Sequence, residues 1–136
     1  RQKATMREIK FRGKRIDNEE WCYGNMHLPI GGDNLMIQVS NTDSFAVIPG
    51  TVGQFTGLHD YKGREIYEGD VICSELVSGR EVLHKIEYNV ENAMFVAKPL
   101  EGLDSDYCHI YKHWIWRYGK EVIGNIHDNP ELLKTE

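Results

Sequence analysis

Two histidines four residues apart, His109 and His113, stand beside Cys108 in a segment crowded with aromatic side chains. On a helix the two imidazoles would share a face and could hold zinc. Residues 107–118 (YCHIYKHWIWRY) are rich in β-formers, however, and the segment reads as a strand. That strand would place His109, Tyr111 and His113 on one face and Ile110, Lys112 and Trp114 on the other. Two imidazoles on a strand need a third ligand from elsewhere, and no spacing marks one, so no metal is expected. The same segment carries five of the fourteen aromatics, Tyr107, Tyr111, Trp114, Trp116 and Tyr118, interleaved with Lys112 and Arg117 and followed by Lys120. Such a strip is a candidate interaction surface, either a stacking platform for single-stranded nucleic acid or a subunit interface. The plainer reading is that cross-strand aromatic pairs fill the core of a small barrel.

Glu65, Glu68 and Asp70 place three carboxylates within six residues. Paired carboxylates can run acid–base chemistry from a cleft that separates their pKa values. Here they flank Gly69 in a turn, where Asp more often accepts from nearby backbone N–H groups. A small hydrolase assembled from Glu65, Asp70 and a histidine is the weakest of the functional readings. No G-x-S-x-G and no glycine-rich phosphate loop occurs, and His27, His59, His84 and His127 are scattered, so neither a catalytic residue nor a cofactor is expected. Cys22, Cys73 and Cys108 are odd in number and far apart, which argues for free thiols rather than a disulfide framework or a zinc site.

The elements that must position these residues are strands. With 136 residues the chain makes one compact unit or a small domain with an added lobe. Fourteen aromatics and thirteen glycines favour β-structure with tight turns. No apolar run reaches the roughly 20 residues of a membrane span, and no signal-peptide pattern is present, so the expected location is cytoplasmic. The net charge of −5 is uneven: residues 1–15 carry seven basic side chains and one acid, the remainder nine basic and twenty acidic. A basic end can serve as a nucleic-acid arm. Met6 is the expected natural start, however, with residues 1–5 a non-native or disordered tail, and the acidic body disfavours a phosphate backbone.

Short alternating segments separated by turn residues fill the first fifty positions: around Ile9–Phe11, Trp21–Met26, Leu35–Val39 and Phe45–Ile48. Residues 51–72 (TVGQFTGLHDYKGREIYEGDVI) hold four glycines and two sharp turns around a four-residue segment. Asp60-Tyr61-Lys62-Gly63 reads as a tight turn with glycine in the left-handed position, and Glu68-Gly69-Asp70 redirects the chain again. A helix does not fit between them. Beyond, residues 81–88 alternate as a half-buried strand, 93–100 form an apolar run, 102–106 a polar loop and 121–126 the last strand. Asn129 as N-cap, Pro130 at the first helical position and Glu131 near the positive dipole end predict a terminal helical turn. Gly24-Asn25-Met26-His27 echoes Gly124-Asn125-Ile126-His127, as two paired strands of one sheet would. The fold expected is all-β with about eight to ten strands: an N-terminal β-lobe over 6–50, an SH3-like small barrel over 51–136 and a short C-terminal helical turn.

Three blocks of the chain resemble the YopX family, small proteins encoded by bacteriophages and prophages. They are Arg7-Glu8-Ile9-Lys10-Phe11-Arg12, the central Gln54-Phe55-Thr56-Gly57-Leu58-His59-Asp60 with Gly63 to Ile72, and Val122-Ile123-Gly124-Asn125-Ile126 with Asn129-Pro130-Glu131-Leu132-Leu133. The signature positions are Gly57, Gly63, Tyr67, Gly69, Asp70, Gly124, Asn125 and Pro130. Tyr61 stands where the family often has a charged or polar residue, and Gly13-Lys14-Arg15 replaces a common Ala-Trp-Asp. The resemblance implies a mainly β fold with a small barrel and a phage or prophage setting, and carries no assigned catalytic residue. The function expected is therefore a non-enzymatic interaction module, a homo-oligomer or a binder of a phage or host protein. A single-stranded nucleic-acid-binding barrel is the alternative.

Overall fold

A computed structural model describes residues 6–101, 107–117 and 120–133. The expected tail at 1–5 and the polar loop at 102–106 lie outside them. The chain is all-β, with eleven described strands in antiparallel sheets, one short α-helix and two 3-10 turns. No helix among the described residues is long and apolar enough to cross a membrane. Two compact units divide between Gly57 and Leu58. Gly53 and Gln54 pair with Arg12 and Phe11, and the Phe55 amide donates to the Lys10 carbonyl at 2.9 Å.

In the first unit, β1 (Phe11–Lys14), β2 (Trp21–His27), β3 (Met36–Gln38), β4 (Ser44–Ala46) and β5 (Gly53–His59) lie in the order β4-β3-β2-β1-β5. Cys22, Ile37 and Val47 form its buried centre, with Phe11, Leu35, Phe45 and Val52 packed around them. Gly13 is small because Val47 and Ile37 press on it: a Cβ there would lie 3.1 Å from each. Gly24 marks the point where β2 leaves β1 and takes up β3, since Phe11 pairs with Gly24 while Asn25 pairs with Gln38. Arg15 closes the polar turn after β1 with two bonds to Asp17, at 2.9 and 2.6 Å, while its guanidinium lies 3.8 Å from the Phe45 ring centroid.

The second unit contains β6 (Glu65–Tyr67), β7 (Asp70–Glu75), β8 (Glu81–Asn89), β9 (Met94–Pro99), β10 (Cys108–His109), α1 (Lys112–Arg117) and β11 (Glu121–Asn125). Its curled sheet, a half-barrel, runs β10-β9-β8-β7-β11. β7 lies between β8 and β11, and residues 70–72 and Ser74 are buried, as expected for a strand covered on both faces. Ile66, Ile72, Ile86, Ala97, Ile115 and Val122 make the core. A 3-10 turn, Pro130–Leu133, follows β11 where a helical turn was expected. The echo at 24–27 and 124–127 does not reflect pairing: the first copy lies in β2, the second ends β11 in the other unit.

Candidate interaction surface

The aromatic segment is not one strand. β10 ends at His109, and residues 112–117 close a short helix whose Ile115 N–H donates to the Tyr111 carbonyl at 3.2 Å. Burial of Ile115 in the core overrides the β preference of its neighbours, which is the usual fate of a weak local propensity. His109 and His113 consequently fall on different elements. Among the described residues no three of His, Cys, Asp and Glu are grouped to hold a metal ion.

Turning the chain into a helix sorts the aromatics. Trp114 faces inward and packs against the core. The Lys120 ammonium sits 4.1 Å from the Trp114 ring centroid, and the His84 ring meets Trp114 edge-on at 5.7 Å. Lys120 is only 3% exposed, and that burial lowers its pKa, so it is unavailable to an outside ligand. His84 is also buried, and its Nδ1 has no hydrogen-bond partner among the described residues. Burial first, and the neighbouring Lys120 charge second, hold the His84 pKa down at about 4 against an ordinary 6.5. Between those values the unfolded chain binds a proton that the folded chain refuses. Stability therefore falls as pH drops from 6.5 toward 4, at up to about 1.4 kcal/mol per pH unit from this group, and is unaffected by it above 6.5. Urea denaturation at pH 7 and pH 5 should show the loss, and His84→Gln should flatten it; an unchanged slope in the variant places the titration elsewhere.

The other side of α1 is open. Trp116 is 61% and Tyr111 53% exposed, and Lys112, His113 and Arg117 are exposed beside them. Tyr111 and His113 rings stack at 6.5 Å with 15° between planes. Tyr107 is half-buried, and its hydroxyl accepts from Asn92 Nδ2 at 3.0 Å. Tyr118 lies outside the described residues. Of the strip read from the sequence, Tyr111 and Trp116 are thus each exposed, and Trp114 is an inward anchor.

The carboxylates and glycines of 51–72 turn the chain. Asp60, 4% exposed, accepts from the Lys62 and Arg64 amides through Oδ1 at 3.0 and 2.8 Å and from the Val122 amide through Oδ2 at 3.0 Å. Gly63 has φ 88°, the left-handed position expected in this turn, and Gly57 has φ 90° within β5. Asp70 is buried and accepts from the Tyr67 amide at 2.7 Å, while the Tyr67 hydroxyl donates to Glu65 at 3.0 Å. Gly69, φ 90°, donates its amide to the Ile86 carbonyl and accepts from the Ile126 amide, both at 2.9 Å. The closing block works in the same way. Asn125 Oδ1 accepts from the His127 and Asp128 amides, and the Asn129 side chain turns back to accept from the Asn125 amide at 3.2 Å. The terminal turn is held by the Asn129 carbonyl, which accepts from the Leu132 amide at 3.0 Å. Gly124 lies under Asn129, and Pro130 opens the 3-10 turn.

All three cysteines are free; Cys22 is buried, and Cys73 and Cys108 are half-buried. Burial, reinforced by a 3.0 Å hydrogen bond to Glu81, pushes the Cys73 thiol up to about 11 and keeps it protonated near neutral pH.

An all-β protein of two antiparallel sheets, one a curled half-barrel, with turns held by buried carboxylates and glycines, is the class these observations define. The YopX protein family model matches residues 8–134, and the chain belongs to that family. It is also similar to protein EF1440 from Enterococcus faecalis, known from a crystal structure: identity is 26%, TM-score 0.59, with 93% of this chain and 99% of that chain covered. No curated protein matches the chain.

Proposed function

We propose that this protein is a non-enzymatic interaction module of phage or prophage origin, acting in the host cytoplasm and self-associating. The observation that carries this reading is the exposure of Trp116 on α1, at 61%, and of Tyr111 just before it, at 53%. Large aromatic rings in water are costly, and both residue types favour interfaces and supply their strongest contacts. Of the carboxylates a hydrolase would use, Asp70 accepts from the Tyr67 amide and Glu65 from the Tyr67 hydroxyl, which supports a structural task for both. Light scattering and sedimentation over rising concentration should give a mass above that of the monomer. A strict monomer at every concentration counts against self-association.

One specific feature favours a second reading. Lys112 and Arg117 are sequence neighbours of Tyr111 and Trp116, so exposed cations and open rings alternate through 111–117, as on a platform for single-stranded nucleic acid. Titration of labelled single-stranded DNA at low salt decides it. Binding should weaken by roughly tenfold in Trp116→Ala, since a stacked base contributes about 1–3 kcal/mol. Absence of binding at low salt removes this reading.

A further inference from the structure

One face of the half-barrel sheet holds an apolar hollow. Cys73 pairs with Leu83 on one side and Glu121 on the other, and Glu75 pairs with Glu81, so alternation puts these side chains on a common face. Leu100 stands opposite Leu83, its amide donating to the Leu83 carbonyl at 3.1 Å. Gly124 pairs with Val71 on the same side, and its missing side chain leaves room for Leu132, whose Cδ1 would lie 3.3 Å from a Cβ there. Val82, Leu83, Pro99, Leu100 and Leu132, all half-buried, line a cleft of about 420 Å³, within the roughly 300–1,000 Å³ usual for binding pockets.

The rim of this cleft is acidic. Glu81 and Glu101 stand there with Arg80, all exposed, and among the described residues none of the three is held in an ion pair. The Cys73 thiol, which donates to Glu81, registers the same field: after burial, Glu81 and then Glu121 and Glu75 push it up. Lys62 answers Glu121 at 2.8 Å, which leaves the charges of Glu75, Glu81 and Glu101 to act outward against Arg80 alone. An apolar floor under an acidic rim fits an aliphatic stem that ends in a cation. Lysine is built in this way, since its methylenes cover apolar surface while the ammonium stays at the wet edge.

We propose that the cleft of Leu83, Leu100 and Leu132 takes a lysine side chain and its aliphatic neighbours from a basic segment of a partner protein, with the ammonium at Glu81 and Glu101. The site uses none of the α1 residues, so it goes beyond self-association and does not depend on it. Burial on the leucines supplies the binding energy, and the carboxylates select the sign of the partner's charge. Arg80 is a like charge to the incoming ammonium and restrains its affinity.

The test is titration of the full chain at low salt with three capped peptides, Gly-Leu-Lys-Leu-Gly, Gly-Leu-Glu-Leu-Gly and Gly-Ser-Lys-Ser-Gly, read by backbone amide shifts in NMR. The first should bind and move the amides of residues 80–83, 100, 101 and 132. The second should bind roughly tenfold or more weakly, because it sets like charges together, and the third likewise, because it has no apolar surface to bury. Glu81→Gln and Glu101→Gln should each weaken the first peptide by roughly threefold, as loss of one exposed charge pairing does. Arg80→Gln should strengthen it by roughly as much, a gain that damage to the fold cannot mimic. Equal binding of the lysine and glutamate peptides, shifts confined to residues away from the cleft, or no gain in Arg80→Gln overturns the proposal. Butylammonium that binds as tightly as the lysine peptide makes this a site for free amines and overturns the protein partner. Failure of every peptide to bind overturns the cleft as a lysine site, while self-association stands or falls separately on light scattering.

Discussion

Asp60→Asn should lower the stability of the second unit by about 3 kcal/mol, although the change is nearly isosteric. The carboxylate has two oxygens and three amide donors, and the donors approach from both sides. An asparagine amide has one acceptor oxygen. If that oxygen stays with the Lys62 and Arg64 amides, the new NH2 group points at the Val122 amide, donor against donor. The Val122 bond is buried, so water cannot take over, and a buried donor left unsatisfied costs about 1–3 kcal/mol in addition to the lost bond. Chemical denaturation midpoints for wild type, Asp60→Asn and Asp60→Ala measure the effect. A loss under about 0.5 kcal/mol in Asp60→Asn, the range of ordinary surface substitutions, would show that the carboxylate's second oxygen is not what matters.

Gly24→Ala should be comparably severe in the first unit. A Cβ at this position would sit 1.9 Å from the Gln38 carbonyl oxygen and 2.8 Å from its carbon, both backbone atoms of the neighbouring strand. A strand cannot yield as the end of a side chain can, so either the β2–β3 register opens or the hairpin tilts. Overpacking of this kind costs about 1–3 kcal/mol and more where backbone is met. Gly50→Ala is the matched control, because nothing lies within 4 Å of its added carbon and its φ is not left-handed; it should change stability by no more than about 0.5 kcal/mol. Equal melting temperatures for the two variants would remove the close approach as the reason for glycine at position 24.

How far the sequence carried depended on range. The Asp60–Gly63 and Glu68–Asp70 turns were legible because their chemistry is local: a carboxylate bonds amides two to four positions away, and a glycine supplies the positive φ. The strands were legible from alternation, and the terminal turn from Asn129-Pro130. Helix α1 was not. Its six residues are too short to display a helical period, and Trp, Ile and Tyr around it are strand-formers whose conformation is decided by where Ile115 is buried. The Asp60–Val122 bond joins positions 62 apart, and the His84–Trp114–Lys120 cluster gathers three elements. No local pattern announces either.

The place of β11 in the half-barrel governs how the molecule can be born. β11 leaves the ribosome well after β7, yet it pairs with β7, and its Val122 amide, with the Lys120 carbonyl just before it, anchors the Asp60 turn made much earlier. Loop closure over such spans slows folding, so the half-barrel's closing step must wait until β11 has been synthesised. Until then one edge of β7, a strand largely buried in the finished fold, stands unpaired, and an open edge invites other strands. Nascent chains stalled before Glu121 should accordingly be the aggregation-prone species, and a chaperone's natural point of engagement is that edge.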